Sequence, residues 1–269
     1  MKEFLDPRLE AIKKQFSNVD YVLLVGSGKG GVGKSVTAAT IALLLSSKGY
    51  AVGLLDLDFH GSVIPTIFDI EDHEPEESKE GLIPPVVLGV KVMSLGLFAK
   101  NRPVPMHGRN KRDAITELLA VTKWGDLDFL IVDLPPGTGD EVLASSTLIP
   151  VEREALVVMT PSALARVVVS RTILLFRDLR VSIMGLVENM AYMKVNEHIV
   201  YPLGEPVGEK LASELHVNYL GMLPLDPMLP RVIEEKKPEK IGETLFAKSI
   251  DEIIVPIVIR NRELLIARG

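Results

Sequence analysis

The sequence predicts a single doubly wound α/β domain, a mostly parallel sheet with helices on both faces. Three observations carry that expectation. Short runs of Val, Ile and Leu recur along the chain, continuous rather than alternating, as strands buried on both faces require. Longer helix-like stretches separate them. The two kinds of segment alternate in order, which is the pattern of parallel strands joined by helical crossovers.

In chain order, Tyr21–Val25 is a short apolar run ending in a Gly-rich turn, and Val36–Leu45 then reads as a helix. Ala51–Leu55 is the next buried strand and stops at Asp56. Val90–Leu95, Phe129–Val132, Ala155–Met159 and Ile183–Val187 follow, with a weaker run at Tyr219–Leu223. Helical stretches are expected near residues 110–121, 140–148, 162–179, 206–215 and 241–264. Glu71–Glu80 holds six acids and one Lys and reads as a solvated loop. Gly81–Pro85, Asn101–Asn110 and Pro202–Val207 interrupt the pattern, and none has the character of an interdomain linker.

Composition bounds the function. The 269 residues are 47% apolar and 25% charged, which excludes wholesale disorder and fits one large domain or two small ones. A net charge of −6 argues against broad nucleic-acid or anionic-membrane binding. There is no Cys, so the chain supplies no disulfide, no thiol nucleophile, no thiolate zinc site and no thiolate cage for an iron–sulfur cluster. Met1–Pro7 lacks the apolar core of a signal peptide, and no run reaches 18 apolar residues. The expected location is the cytoplasm.

The strongest local signal is Gly28-Lys29-Gly30-Gly31-Val32-Gly33-Lys34-Ser35, a G-x-x-x-x-G-K-S loop between a strand and a helix. Glycines let the backbone curl so that successive N–H groups face phosphate oxygens, and the helix N-terminus adds partial positive charge. Lys34 is expected on the β- and γ-phosphates. Ser35 is expected to ligate Mg²⁺ through its hydroxyl, an oxygen donor for a hard ion. Lys29 is an additional lysine that a generic phosphate loop does not require. It is either a solvated side chain or a charge reaching a phosphate across a dimer interface, in the manner of an arginine finger.

Two further stations lie at strand ends, the edge where open parallel sheets bind ligands. One is Asp56-Leu57-Asp58; the other starts at Asp133 and runs through Pro135-Pro136-Gly137-Thr138-Gly139-Asp140. Asp133, directly after an apolar strand, is the expected holder of Mg²⁺. Asp58 is the candidate to orient the attacking water or accept its proton, whereas Asp56 reads as a cap or turn residue. In the Pro-Pro-Gly stretch the prolines fix φ and remove donors, leaving the Gly137 N–H free to meet a γ-phosphate.

These motifs resemble one family. The loop from Gly28 to Ser35 is similar to the deviant phosphate loop of the MinD/ParA-type ATPases, and Asp128 to Asp140 resembles the narrower signature of the Mrp/ApbC branch, the nucleotide-binding iron–sulfur cluster carriers. Trp124-Gly125, Val187-Glu188-Asn189-Met190 and Pro224-Leu225-Asp226-Pro227 fit that branch too. The resemblance implies residues 20–269 as a deviant Walker A P-loop ATPase domain behind an N-terminal helical extension, residues 1–19. It implies a homodimer enclosing two ATP molecules, Lys29 acting in trans, and Asp58 as the catalytic aspartate. It also implies that Asn189 and Pro224, Leu225 and Asp226 flank the adenine; on the residues alone, Asn189 reads equally as a strand-end turn residue.

The departures matter as much. The branch usually carries a Cys-x-x-Cys after the Asn189 region, where this chain has Ala191-Tyr192-Met193-Lys194-Val195-Asn196-Glu197-His198-Ile199. His198 alone is a poor cluster ligand, and His60, His73, His107 and His216 have no metal-ligand spacing. Val36 replaces a common hydroxyl residue, which removes one side-chain contact to the α-phosphate while the backbone donors remain. Three readings follow. The first is an ATPase assisting iron–sulfur assembly with ligands from a partner, either an apoprotein or a cysteine-rich scaffold. The second is a cluster-free ATP-gated switch or adaptor. The third, a positioning ATPase on membrane or DNA, is disfavoured, because the C-terminal segment mixes Pro256 and Glu263 with three arginines, and the cluster of Arg102, Arg109, Lys111 and Arg112 reads as an exposed basic face.

Overall fold

A computed structural model describes residues 6–59, 61–99, 108–162, 164–196 and 198–268. Helix α1 (Pro7–Gln15) leads into β1 (Val19–Gly26), α2 (Lys34–Ser47), β2 (Val52–Asp56) and the short α3 (Ile64–Ile67). Then come β3 (Glu76–Ser78), β4 (Gly81–Ile83), β5 (Val86–Val87), β6 (Val90–Ser94), α4 (Gly96–Ala99) and α5 (Gly108–Val121). The second half contains β7 (Leu127–Asp133), α6 (Asp140–Leu148), β8 (Arg153–Met159), α7 (Ala165–Asp178), β9 (Ser182–Val195) and β10 (His198–Val200). It closes with α8 (Gly208–Glu214), β11 (Tyr219–Pro224), α9 (Met228–Glu234), a 3-10 turn over Pro238–Glu243, α10 (Leu245–Ile253) and α11 (Val255–Ile266).

The main sheet runs β10-β9-β8-β1-β7-β2-β6-β5, with β11 also paired to β9. Every pairing is parallel except the two hairpins at its edges, β5 with β6 and β10 with β9. The continuous apolar strands now have their physical reason. On β1, Tyr21, Leu23 and Val25 enter one core while Val22 and Leu24 enter the other, and on β7 Phe129 and Ile131 alternate with Leu130 and Val132 in the same way. The first core lies under α2 and α10, the second under α5 and α7. Each fully buried side chain of this size contributes roughly 1.5–3 kcal/mol.

All seven predicted strands are present, and three details differ from the expectation. The 183–187 strand continues to Val195, because its far end pairs with β10. The acidic 71–80 segment is not all loop: Glu76–Ser78 pairs with Gly81–Ile83, and Glu71 is held by Thr66 and Lys236. The 241–264 helix is broken at Ile254, where Pro256 lacks the N–H needed to continue α10 and instead opens α11. The N-terminal helix is packed onto α5 and buries Ile12 and Phe16 in the second core. Pro7 starts that helix and the Asp6 carboxylate accepts from the Arg8 N–H, a side-chain N-cap.

His60, His107, Arg102 and the side chain of Arg109 lie outside the described residues. Among the described residues no helix is long and apolar enough to cross a membrane.

Candidate functional site

Strand register gathers the chemistry at one edge. Ser94 pairs across to Asp56, Asp56 to Asp133, and Asp133 to Val25 just before the glycine loop. Backbone bonds continue the row past the strand ends, from Leu57 N–H to Asp133 O at 3.0 Å and from Leu134 N–H to Val25 O at 3.1 Å. The loop then turns into α2 through Gly33, whose φ of +82° suits glycine and whose lack of a side chain leaves the first amides of the helix uncapped. Orphan amides at a helix N-terminus form a ready site for a phosphate. A Cβ at Gly28 would lie 2.6 Å from the Val168 carbonyl, so the loop's first glycine is required by its packing on α7. Sequence reasoning assigned it to phosphate approach alone.

Lys34 and Asp133 face each other inside this row. Lys34 Nζ donates to Asp133 Oδ1 at 2.5 Å and to Ser35 Oγ at 3.3 Å. Both charged side chains are nearly excluded from solvent, at 6% and 0% exposure. Burial pushes the Asp133 carboxyl above its usual range, while Lys34 and the neighbouring Ser35 hydroxyl pull it back. The second carboxylate oxygen, Oδ2, is buried with no hydrogen-bond partner among the described residues. An orphaned carboxylate oxygen beside a serine hydroxyl is a pair of hard oxygen donors, and it fits Mg²⁺ completed by water and phosphate.

Asp56 has a different environment. It is fully buried, and Oδ2 accepts from Ser62 Oγ at 2.5 Å and Ser94 Oγ at 2.8 Å, while Oδ1 accepts from the Asp58 N–H at 3.0 Å. Burial and then the charge of Asp133 push its carboxyl up to about 7. Asp56 therefore ties the segment carrying Asp58 to β6. The sequence did not single out Ser94 and Ser62, although Ser94 carries the signal that picked out Asp56 and Asp133, a polar residue closing an apolar strand. Asp58 is itself buried, accepts from the Gly61 N–H at 3.1 Å, and lies close enough for its charge to act on Asp133.

The remaining candidates divide. Lys29, Gly30 and Gly31 are exposed, Val32 is buried, and Val36 is half-buried against the first core. The Gly137 N–H is not free, which corrects the expectation: it donates to Ser27 O at 2.8 Å and ties the loop after β7 to the glycine loop. The Asn189 side chain is also engaged. Its Nδ2 donates to Val32 O at 2.8 Å and its Oδ1 accepts from the N–H of Met190, which takes a left-handed φ of +54°. In this structure Asn189 therefore shapes the loop, and a Cβ at Gly33 would collide with its amide. Pro224 pairs with Tyr192 at the end of β11, and the Leu225 N–H donates to Tyr192 O at 2.7 Å. Asp226 accepts from the backbone of Met228 and Phe246, which fixes the starts of α9 and α10. His198 is exposed on β10. Of the described basic cluster, Lys111 is paired with Glu141.

Comparison with known proteins bears on the family and the fold. Residues 18–258 match the family model described as ParA: NUBPL iron-transfer P-loop NTPase. The iron–sulfur cluster carrier protein of Methanocaldococcus jannaschii is 36% identical over 262 residues, covering 96% of this chain and 90% of that protein. The protein of the same description from Saccharolobus solfataricus is 34% identical over 245 residues, covering 89% and 81% respectively. A solved nucleotide-binding protein of Archaeoglobus fulgidus in complex with ADP superposes with a TM-score of 0.77 at 33% identity, over 86% of this chain and 93% of that one.

Proposed function

The chain belongs to the ParA/NUBPL family of iron-transfer P-loop NTPases, on its Mrp/ApbC side, and from that premise we propose a cytoplasmic Mg·ATP-dependent ATPase of low turnover that works as a homodimer and assists iron–sulfur cluster assembly or transfer. The observation that carries the reading is the convergence of Lys34, Ser35, Asp58 and Asp133 at one sheet edge beside an uncapped helix N-terminus.

Each group has a task in that reaction. The backbone from Gly28 to Ser35 holds phosphate oxygens, and Lys34 neutralises the β- and γ-phosphates. Ser35 and Asp133 hold Mg²⁺, which supplies charge neutralisation on the phosphates when bound. Asp58 orients the water and takes its proton. Lys29, exposed on the loop, stabilises the transferring phosphoryl group of the neighbouring subunit. Asn189 and the Pro224–Asp226 turn border the base; with one N–H on Val32 O and its oxygen on the Met190 N–H, Asn189 keeps a second amide hydrogen and a second lone pair for it.

Iron–sulfur clusters enter as cargo. The chain contains no Cys, and the described residues include no group of three or more His, Asp or Glu suited to a metal. The ligands in this reading come from the client or a cysteine-rich scaffold. The cluster-free switch is the second reading, and the same absence of thiolates favours it. One experiment tests both: an anaerobic pull-down from native extract with Asp58→Ala protein and Mg·ATP, followed by mass spectrometry and iron analysis. A nucleotide-dependent, iron-bearing or cysteine-rich partner supports the assembly role. An iron-free partner captured only with ATP supports the switch. Partners that bind equally without ATP refute both.

A further inference from the structure

The proposed reaction gives Lys34 and Asp133 separate destinations, phosphate for one and metal for the other, yet in this structure they neutralise each other. The pair is nearly buried, with 2.5 Å between Nζ and Oδ1. Asp56 stands next to Asp133 in the same row, also fully buried. Of these two buried carboxyls, Lys34 is paired with Asp133. If it moves onto an anionic phosphate, the Asp133 carboxylate is left buried without its counter-charge. Such a state is strongly unfavourable in a low-dielectric interior. A divalent cation on Asp133 removes the penalty, and Oδ2 already lacks a partner to give up.

We propose that the Lys34–Asp133 pair makes nucleotide and divalent-cation binding depend on one another, with Asp133 restraining Lys34 until a cation takes over the carboxylate. The inference rests on the nucleotide-binding reading above and adds the source and sign of a coupling within it. Because linkage is reciprocal, the pair opposes Mg-free nucleotide and also opposes metal in the absence of nucleotide. Asp56 provides the contrast. It is equally buried, but its hydrogen bonds go to Ser62, Ser94 and the Asp58 N–H, so it does not hold the lysine.

Calorimetric titration with ADP, in EDTA and in excess Mg²⁺, tests the coupling on the unaltered protein, Asp133→Asn and Asp56→Asn. Asp133→Asn removes a metal ligand, yet it is expected to bind Mg-free ADP about 10- to 100-fold tighter, the worth of one charge-assisted hydrogen bond. Its gain from Mg²⁺ should shrink correspondingly. Asp56→Asn should show a much smaller gain. A second arm titrates Mn²⁺ alone, followed by its paramagnetic resonance signal: Lys34→Ala is expected to bind it more tightly than the unaltered protein. This arm decides the matter if circular dichroism shows Asp133→Asn to be unfolded. No gain in Asp133→Asn, an equal gain in Asp56→Asn, or no gain in Mn²⁺ affinity for Lys34→Ala overturns the coupling while ADP binding in Mg²⁺ stands. Failure of the unaltered protein to bind ADP under either condition overturns the nucleotide-binding reading and the coupling with it.

Discussion

Replacing Asp56 by Asn should change how the stability of the fold responds to pH. The folded protein holds this carboxyl near 7, chiefly through burial and then through the charge of Asp133, against a reference value of 3.8. Between those values the folded state binds the proton and the unfolded state does not, so this group's contribution to stability falls as pH rises through the window. Integrated from pH 5 to pH 8, the loss amounts to about 2–3 kcal/mol, most of it below pH 7. Asn has nearly the same shape and no proton to lose. Its oxygen can keep the Asp58 N–H, and its amide can donate to the hydroxyls of Ser62 and Ser94, which now donate to the carboxylate. Urea unfolding of both proteins in EDTA, at several pH values from 5 to 8, gives the difference in free energy. That difference should move in favour of Asp56→Asn by about 2–3 kcal/mol across the range. Parallel profiles would refute the assignment of a neutral, buried Asp56 below pH 7.

Three further outcomes are expected. Lys29→Ala should bind ATP as well as the unaltered protein but lose most of its hydrolysis, as the proposed reach of this exposed lysine to the neighbouring subunit requires; unchanged turnover in a phosphate-release assay removes the trans role. Gly28→Ala should lower stability by about 1–3 kcal/mol by urea unfolding, because the new methyl meets the Val168 backbone at 2.6 Å and neither partner is a flexible side-chain end. Asn189→Ala should weaken nucleotide binding about 3- to 10-fold by calorimetry, through loss of the hydrogen bond that fixes Val32 O; undiminished affinity would mean that the loop holds its shape without it.

The strands were legible because each is buried from two sides, which leaves a continuous apolar run with no competing pattern. Asp56 and Asp133 were legible for a related reason, as charges that end such runs. What the sequence did not show was where small polar groups spend their hydrogen bonds. The Gly137 N–H could equally have faced a ligand or a neighbouring loop, and only the approach of Ser27 O decides between them. The resemblance put Asn189 beside the base, while the residues alone read equally as a strand-end turn; its amide bond to a loop carbonyl depends on a residue 157 positions away. The ribbon of β9 and β10 was invisible for another reason: Val195, Ile199 and Val200 are exposed, so no burial pattern marked them.

That ribbon has a consequence of scale. Six residue steps separate Asn189, clipped to the glycine loop, from Val195 at the end of β9, a span of about 20 Å in extended chain. A phosphate in the loop and a molecule held at the tip of the ribbon stand too far apart to touch. They nonetheless share β9, which Asn189 ties to the glycine loop and which β8 and β11 hold in the sheet as far as Tyr192. Any influence of one on the other along this route is a question of reach and leverage, and the length of β9 sets both.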